Sequence, residues 1–272
     1  MICAFDFHGE NFKKYQDRRD IDIVHFHNKY FDTDLPALIQ YHSEPERCIR
    51  KYPREAIQCS LDNKYYKTVV SQWQATDPIY KGHHFVRNVI DFESNLYETK
   101  TINKIKIGYS PSILDNRGVR YNKGYSETKK ILENIVKKYG VEIDIIKGVP
   151  LEECIRRKSN CNIIIDECMT GSFHRSGLEG LALGKLTICG VSKEVESILL
   201  KVSNSLINPF LNVLIDDLEN KLEEIIRTKT VDEINEIGIN NRGWMQTYWH
   251  PKQIVNEFVA IYKMILEKNN AK

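Results

Sequence analysis

No stretch of this 272-residue chain approaches the ~18 to 20 consecutive apolar residues of a membrane span. Residues 1–6 are too short for a secretory signal. The chain is therefore read as soluble and cytoplasmic, with a peripheral place at the inner membrane face left open. An excess of one charge is also missing: 39 Lys and Arg stand against 37 Asp and Glu, a net charge of +2. Bulk electrostatics do not demand nucleic acid, and no nucleic-acid recognition motif is present. Zinc-like cysteine spacings are absent too. Seven cysteines, an odd number, point to reduced thiols rather than a disulfide framework.

What the chain does have is concentrated in residues 160–190. Ile163, Ile164 and Ile165 form an unbroken apolar run, which suits a parallel strand covered on both faces. Asp166 and Glu167 follow at its carboxyl end, the end where open α/β sheets bind ligands. Gly171 and Ser172 allow a tight turn, and Leu178, Leu181 and Ala182 recur at helical spacing. Gly184 closes that helix, and LTICG starts another strand. A helix start presents unpaired amides and the positive end of its dipole, so the turn over residues 171–174 suits a phosphate. Glu179, one turn further in, suits a pair of sugar hydroxyls, and a nucleoside diphosphate offers both groups. The alternative for Glu179 is an ion pair with Arg175 or Lys185 on a solvated face.

The same alternation runs through the rest of the chain. MICAF, IDIVHFHN, LPALIQY, KTVVSQWQ and HHFVRNVID read as short strands of a first α/β unit. His25 and His27 share one side of their strand; they are metal ligands or strand-end polar residues, and the absence of a third suitably spaced ligand favours the second. Residues 92–103 are polar and aperiodic, hence a linker. KIKIGYSP then begins a second domain. It leads into a loop with Arg117, Arg120 and Lys123 and an amphipathic helix carrying Ile131, Leu132, Ile135 and Val136 inward. A basic glycine-containing loop is a diphosphate site or simply solvated surface. VEIDIIK, PLEECIRRKS, VSKEVESILLK, LNVLID and DLENKLEEIIR continue the βα order, which calls for a parallel sheet with right-handed crossovers. Trp249, Phe258, Ile261 and Ile265 form a core stripe on the last helix.

The string GSFHRSGLEGLALGK resembles the donor-binding segment of the group 1 family of retaining glycosyltransferases, matched at Leu178, Glu179, Gly180, Leu181, Ala182, Gly184 and Lys185. The resemblance implies the α/β GT-B fold: two Rossmann-like domains with parallel sheets facing a cleft, and a C-terminal helix crossing back. Its domains would be residues 1–95, shorter than the family's usual acceptor-side half; a linker, 96–103; the nucleotide-sugar donor domain, 104–248; and the returning helix, 249–272. It implies transfer of a sugar from a nucleotide-diphosphate sugar to a glycan, lipid-linked or protein acceptor, with retention and without a metal or other cofactor.

By the same resemblance Glu179 binds the ribose hydroxyls, and Lys123 with Gly124 binds the diphosphate. The family's partner arginine falls on Gly118 here, so Arg117 or Arg120 serves, with Arg120 preferred. His42 matches a histidine that points at the donor sugar, and Asn88, Ile90 and Asp91 match the crossing between domains. Tyr109, Ser110 and Pro111 match a strand-end string of the donor domain. Many members carry a second glutamate where this chain has Gly171, which leaves Glu167 or His174 to face the sugar. The amides of Gly171 and Ser172 support the phosphates, and residues 147–150 lie where the base is read. Two other readings stand beside this one. A GT-B nucleotide-sugar epimerase would use Asp166 and Glu167, and a non-catalytic nucleotide-sugar-binding relic would explain Gly171 and the short first half.

Overall fold

A computed structural model describes residues 3–4, 20–28, 33–42, 65–111 and 124–270. The chain divides into two compact units, residues 1–88 with 252–272, and residues 89–251.

The first unit is built on a sheet of five strands, β1 (Cys3–Ala4), β2 (Val24–His27), β3 (Ala37–Tyr41), β4 (Tyr66–Val70) and β5 (His84–Val86). They lie in that order, and every pairing is parallel. Side chains alternate across a strand, so the sheet has two apolar faces. Val24, Phe26, Ile39, Tyr41 and Val69 gather on one with Tyr65 and Tyr80. Ile23, Leu38 and Val86 pack on the other against Ile261 and Tyr262 of the C-terminal helix, Pro251–Asn270, with Phe258 and Ile265 beside them. Trp249 departs from the expected stripe. Pro251 opens the helix, as proline does at a first helical position, and Trp249 precedes it, fully buried in the second unit against Phe173 and Trp244. The strand expected through Gln74 stops at Val70, and Trp73–Thr76 forms a single 3-10 turn.

A row of histidines crosses this sheet. His25 and His27 stack with ring centroids 4.5 Å apart, His25 Nδ1 lies 2.7 Å from the Tyr262 hydroxyl, and His27 Nδ1 lies 2.7 Å from His42 Nε2. Among the described residues no three His, Cys, Asp or Glu side chains are grouped to hold a metal ion. Burial, and then the neighbouring His27 and His42, lower the His25 pKa from 6.5 to about 3. The unfolded chain takes up a proton near its ordinary histidine pKa and the folded one does not. The contribution of neutral His25 is therefore full above about pH 6.5 and is lost as the pH falls toward the folded value. Urea unfolding between about pH 7 and pH 4 should show wild type losing stability more steeply than His25→Gln, by up to about 1.4 kcal/mol per pH unit. Equal slopes would contradict a buried neutral His25.

The second unit carries a five-stranded sheet in the order β10-β9-β8-β6-β7, all parallel. Its strands are β6 (Lys106–Tyr109), β7 (Glu142–Ile145), β8 (Ile163–Ile165), β9 (Leu186–Cys189) and β10 (Leu211–Asn212). Its helices are α1 (Tyr125–Tyr139), α2 (Leu151–Ser159), α3 (Arg175–Ala182), α4 (Lys193–Ser203), α5 (Ile215–Thr228) and α6 (Val231–Tyr248). Every residue of β8 and β9 is buried, as a strand covered on both faces requires. The stretch expected as the strand LNVLID is shorter, because Ile215 already belongs to α5; Asp216 and Asp217 then sit in the first helical turn, where the dipole favours them.

Residues 92–103, expected as a linker, fall within this unit and are for the most part exposed. Phe92 and Tyr97 are buried, and Arg242 of α6 donates to the carbonyls of Phe92, Tyr97 and Ala182 while lying over the Phe92 ring. That clamp brings the segment beside the end of α3. Helix α3 in turn lies close on the sheet, because a Cβ on Gly180 would fall 2.7 Å from Thr187 Oγ1 and 3.1 Å from Ile164 Cγ2. Only glycine permits that approach, and it sets the depth at which Glu179 is held.

Candidate functional site

The connection after β6 returns to β7 on one side of the sheet, whereas β8 pairs on the other. Strand order therefore reverses between β6 and β8, and in open α/β sheets the crevice outside the carboxyl ends at such a reversal is where ligands bind. Two segments leave the sheet there side by side. Ser110, just after β6, places Oγ 2.9 Å from Ser176 Oγ of α3. Gly124, at the start of α1, abuts Met169 in the loop after β8: a Cβ there would lie 3.2 Å from Met169 Cβ.

Acidic side chains shape the β8–α3 loop. Glu167, fully buried, accepts the amides of Met169 and Thr170 on Oε2 at 2.9 and 2.8 Å, and the Thr170 hydroxyl on Oε1. Asp166 accepts the His174 amide at 2.5 Å. The thiol of Cys189, raised well above its ordinary range by burial, rests against Asp166 Oδ2 and the Ser172 carbonyl. Gly171 has φ +77°, the left-handed region that favours glycine, and its carbonyl accepts the Ser192 amide at 2.9 Å. His174 is the N-cap of α3 in an extended conformation. Its half-buried ring places Nδ1 3.7 Å from Asp166 and 3.9 Å from Glu167.

Glu179 sits one turn into α3 and is 4 % exposed. Lys158 of α2 donates to its Oε2 at 2.7 Å, and Arg175 donates to Oε1 at 3.0 Å. The expected Lys185 contact does not form: that lysine is buried at the start of β9, donates to the Lys100 carbonyl at 2.8 Å, and is lowered by burial to about 8. Nor is Glu179 on a solvated face. Tyr97 and Cys154 border the same group. Burial first, and then the Glu179 carboxylate, push the Tyr97 phenol up to about 12, and burial raises the Cys154 thiol.

Of the expected donor-side residues, Ser110, Gly124, Glu167, Gly171, Ser172, His174 and Glu179 all belong to these two segments and α3. Glu167 and the Ser172 hydroxyl turn inward, the latter onto the Phe173 carbonyl. Arg117, Arg120 and Lys123 lie outside the described residues, and His42 belongs to the first unit. Lys158 and Tyr97 are not among the expected residues. Lys158 falls three residues after the inward-facing Ile155, so helical spacing alone places it on the buried stripe.

Two open parallel α/β units, the second with a glycine turn opening a helix at a reversal of strand order, define a Rossmann-like architecture. Solved structures narrow the class. Sucrose-phosphate synthase from Thermosynechococcus elongatus superposes with a TM-score of 0.59 at 13% identity, over 95% of this chain and 77% of that one. HepE from Anabaena, in complex with UDP, gives 0.56 at 12% identity, over 93% and 80%. A TarM variant from S. aureus, bound to fondaparinux, alpha-GlcNAc-glycerol and UDP, gives 0.60 at 11% identity; it is covered over 55% of its length by 88% of this chain. The fold is that of the GT-B glycosyltransferases. No protein-family model matches the sequence, and no curated protein matches it.

The glycine turn makes a direct expectation. Gly171→Glu puts a Cβ at positive φ and 3.2 Å from Ser192 Cβ. A left-handed non-glycine residue costs roughly 1–2 kcal/mol and crowding adds to it, so urea unfolding should show a loss of about 2 kcal/mol or more. An unchanged midpoint would contradict this loop geometry.

Proposed function

We propose that the chain is a glycosyltransferase of the group 1 type, moving a sugar from a nucleoside-diphosphate sugar to an acceptor with retention and without a metal. The observation that carries the reading is the position of Glu179: held at a fixed depth in α3, behind the Gly171 turn, beside the reversal between β6 and β8. A carboxylate there suits vicinal ribose hydroxyls, and the turn in front of it suits phosphate. UDP in the HepE and TarM structures nominates uridine as the first base to try, with residues 147–150 in the base-reading position.

In this reading Lys123 and Arg120, with Arg117 near them in sequence, neutralise the diphosphate as its bond to the sugar breaks, stabilising charge where it develops. Ser110 and Gly124 flank these residues in the chain. The amides of Gly171 and Ser172 add to the anion site at the start of α3. Glu167 acts on the loop rather than on the sugar, because both its oxygens are taken by residues 169–170. His174, whose ring is part-exposed, and His42, by resemblance, are the residues assigned to the sugar.

Asp166 and Glu167 both hold loop backbone, which weighs against an epimerase that would need them as free acids or bases. Gly171 in the place of the family's second glutamate favours one other reading, a module that binds a nucleotide sugar without transferring it.

The test is a thermal-shift panel of UDP, GDP, ADP and CMP sugars on wild type and Glu179→Ala. A ligand at about 100 times its Kd adds roughly 2.7 kcal/mol to the native state, so one of these sugars should raise the wild-type Tm by several degrees, and Glu179→Ala should lose most of that increment. No increment with any donor would contradict the donor site. An increment without hydrolysis or transfer in any acceptor assay would favour the binding module.

A further inference from the structure

The two oxygens of Glu179 are held in different ways. Oε2 takes Lys158, whose side chain is 1 % exposed, and Oε1 takes Arg175, whose side chain is 55 % exposed. Lys158 also donates to Ser176 Oγ at 2.9 Å, and that hydroxyl meets Ser110 at the carboxyl end of β6. Three elements, α2, α3 and the β6 end, thus converge on one buried polar group.

Stability alone does not account for this arrangement. A buried ion pair is often no better than an apolar pair of the same volume, because desolvating both charges offsets their attraction. What the pair supplies is a fixed carboxylate. The two cations also differ in how readily they leave. An exposed arginine on a carboxylate is worth little and gives way to another donor; a buried ammonium cannot leave without being stranded from water.

We infer that Lys158 is a positioning residue for a ribonucleotide: it anchors Glu179 through Oε2, so that a ribose hydroxyl takes Oε1 by displacing Arg175. The inference rests on the nucleotide-sugar reading of this site and deepens it. It makes preference for ribose over 2′-deoxyribose depend on a lysine that touches no ligand.

The experiment measures Kd by calorimetry for UDP, GDP, ADP and CDP and for their 2′-deoxy counterparts, on the full-length wild type, Glu179→Gln, Lys158→Met and the double variant. Wild type is expected to favour one ribonucleotide over its deoxy form by about tenfold, the size of one well-made hydrogen bond to a charged group. Glu179→Gln and Lys158→Met should each bring that ratio to about one, and the double variant should lose no more than either single, as coupled residues do. Lys158→Gln keeps a hydrogen-bond donor without the charge and guards against misfolding of Lys158→Met; its ratio should fall at least about threefold. A Lys158→Met or Lys158→Gln protein that melts lower but keeps the wild-type ratio would make Lys158 a purely structural tie and overturn the inference while leaving the nucleotide site intact. Failure of wild type to bind any of the nucleotides would overturn the reading of the site and this inference with it.

Discussion

Direct pairing of β8 with β6 is the constraint on which the second unit depends. Ile107 opposite Ile163 and Tyr109 opposite Ile165 bring the loops after the two strands out of the sheet next to each other, although more than fifty residues separate them in the chain. Placing β7 on the far side of β6 leaves no strand between those loops. The contacts of Ser110 with Ser176, and of Gly124 with Met169, are consequences of that register. The proposed donor site adds a helix start and a carboxylate at a set depth, and the backbone at Gly171 and Gly180 allows both.

Much of this was legible beforehand because its signals are local. The triple-isoleucine run of β8, the apolar spacing of α3 and the glycine stops are read from neighbouring residues, and they predict the βα alternation and the parallel sheets that are found. The position of Glu179 on α3 was equally readable. Its surroundings were not. A sequence shows Arg175 four residues away on the same helix, but Lys158 arrives from another helix, and only the packing of α2 beside α3 brings it there. Lys185 is the converse case, close in sequence and yet turned to the Lys100 carbonyl. The sequence leaves Glu167 looking like an open acid, because nothing local announces that a carboxylate folds back onto the amides of residues 169 and 170. Residues 92–103 lack periodicity, and nothing local announces that Phe92 and Tyr97 are buried and their carbonyls held by Arg242, which lies roughly 150 residues on.

Both units place ionisable groups where water does not reach, with different consequences. In the first, His25 is kept neutral by burial and by two neighbouring imidazoles, so the structure is strained by acid. In the second, the Lys158–Glu179 pair remains a matched pair of charges, and its cost in desolvation is offset by hydrogen bonds to Ser176 and Arg175. The second arrangement suits a site that must present an acceptor to a ligand without rearranging, since donors and acceptors fixed in advance need no reorganisation when the ligand arrives.

The central claim is that the carboxyl edge at β6 and β8 is the ligand-binding edge. Amide hydrogen exchange of the whole chain, followed by mass spectrometry with and without a saturating nucleoside diphosphate, tests it most directly. The expected result is slower exchange confined chiefly to peptides covering residues 108–128 and 166–180, which include the end of β6, the loop after β8 and the starts of α1 and α3. Protection elsewhere, with these peptides unchanged, would contradict the account.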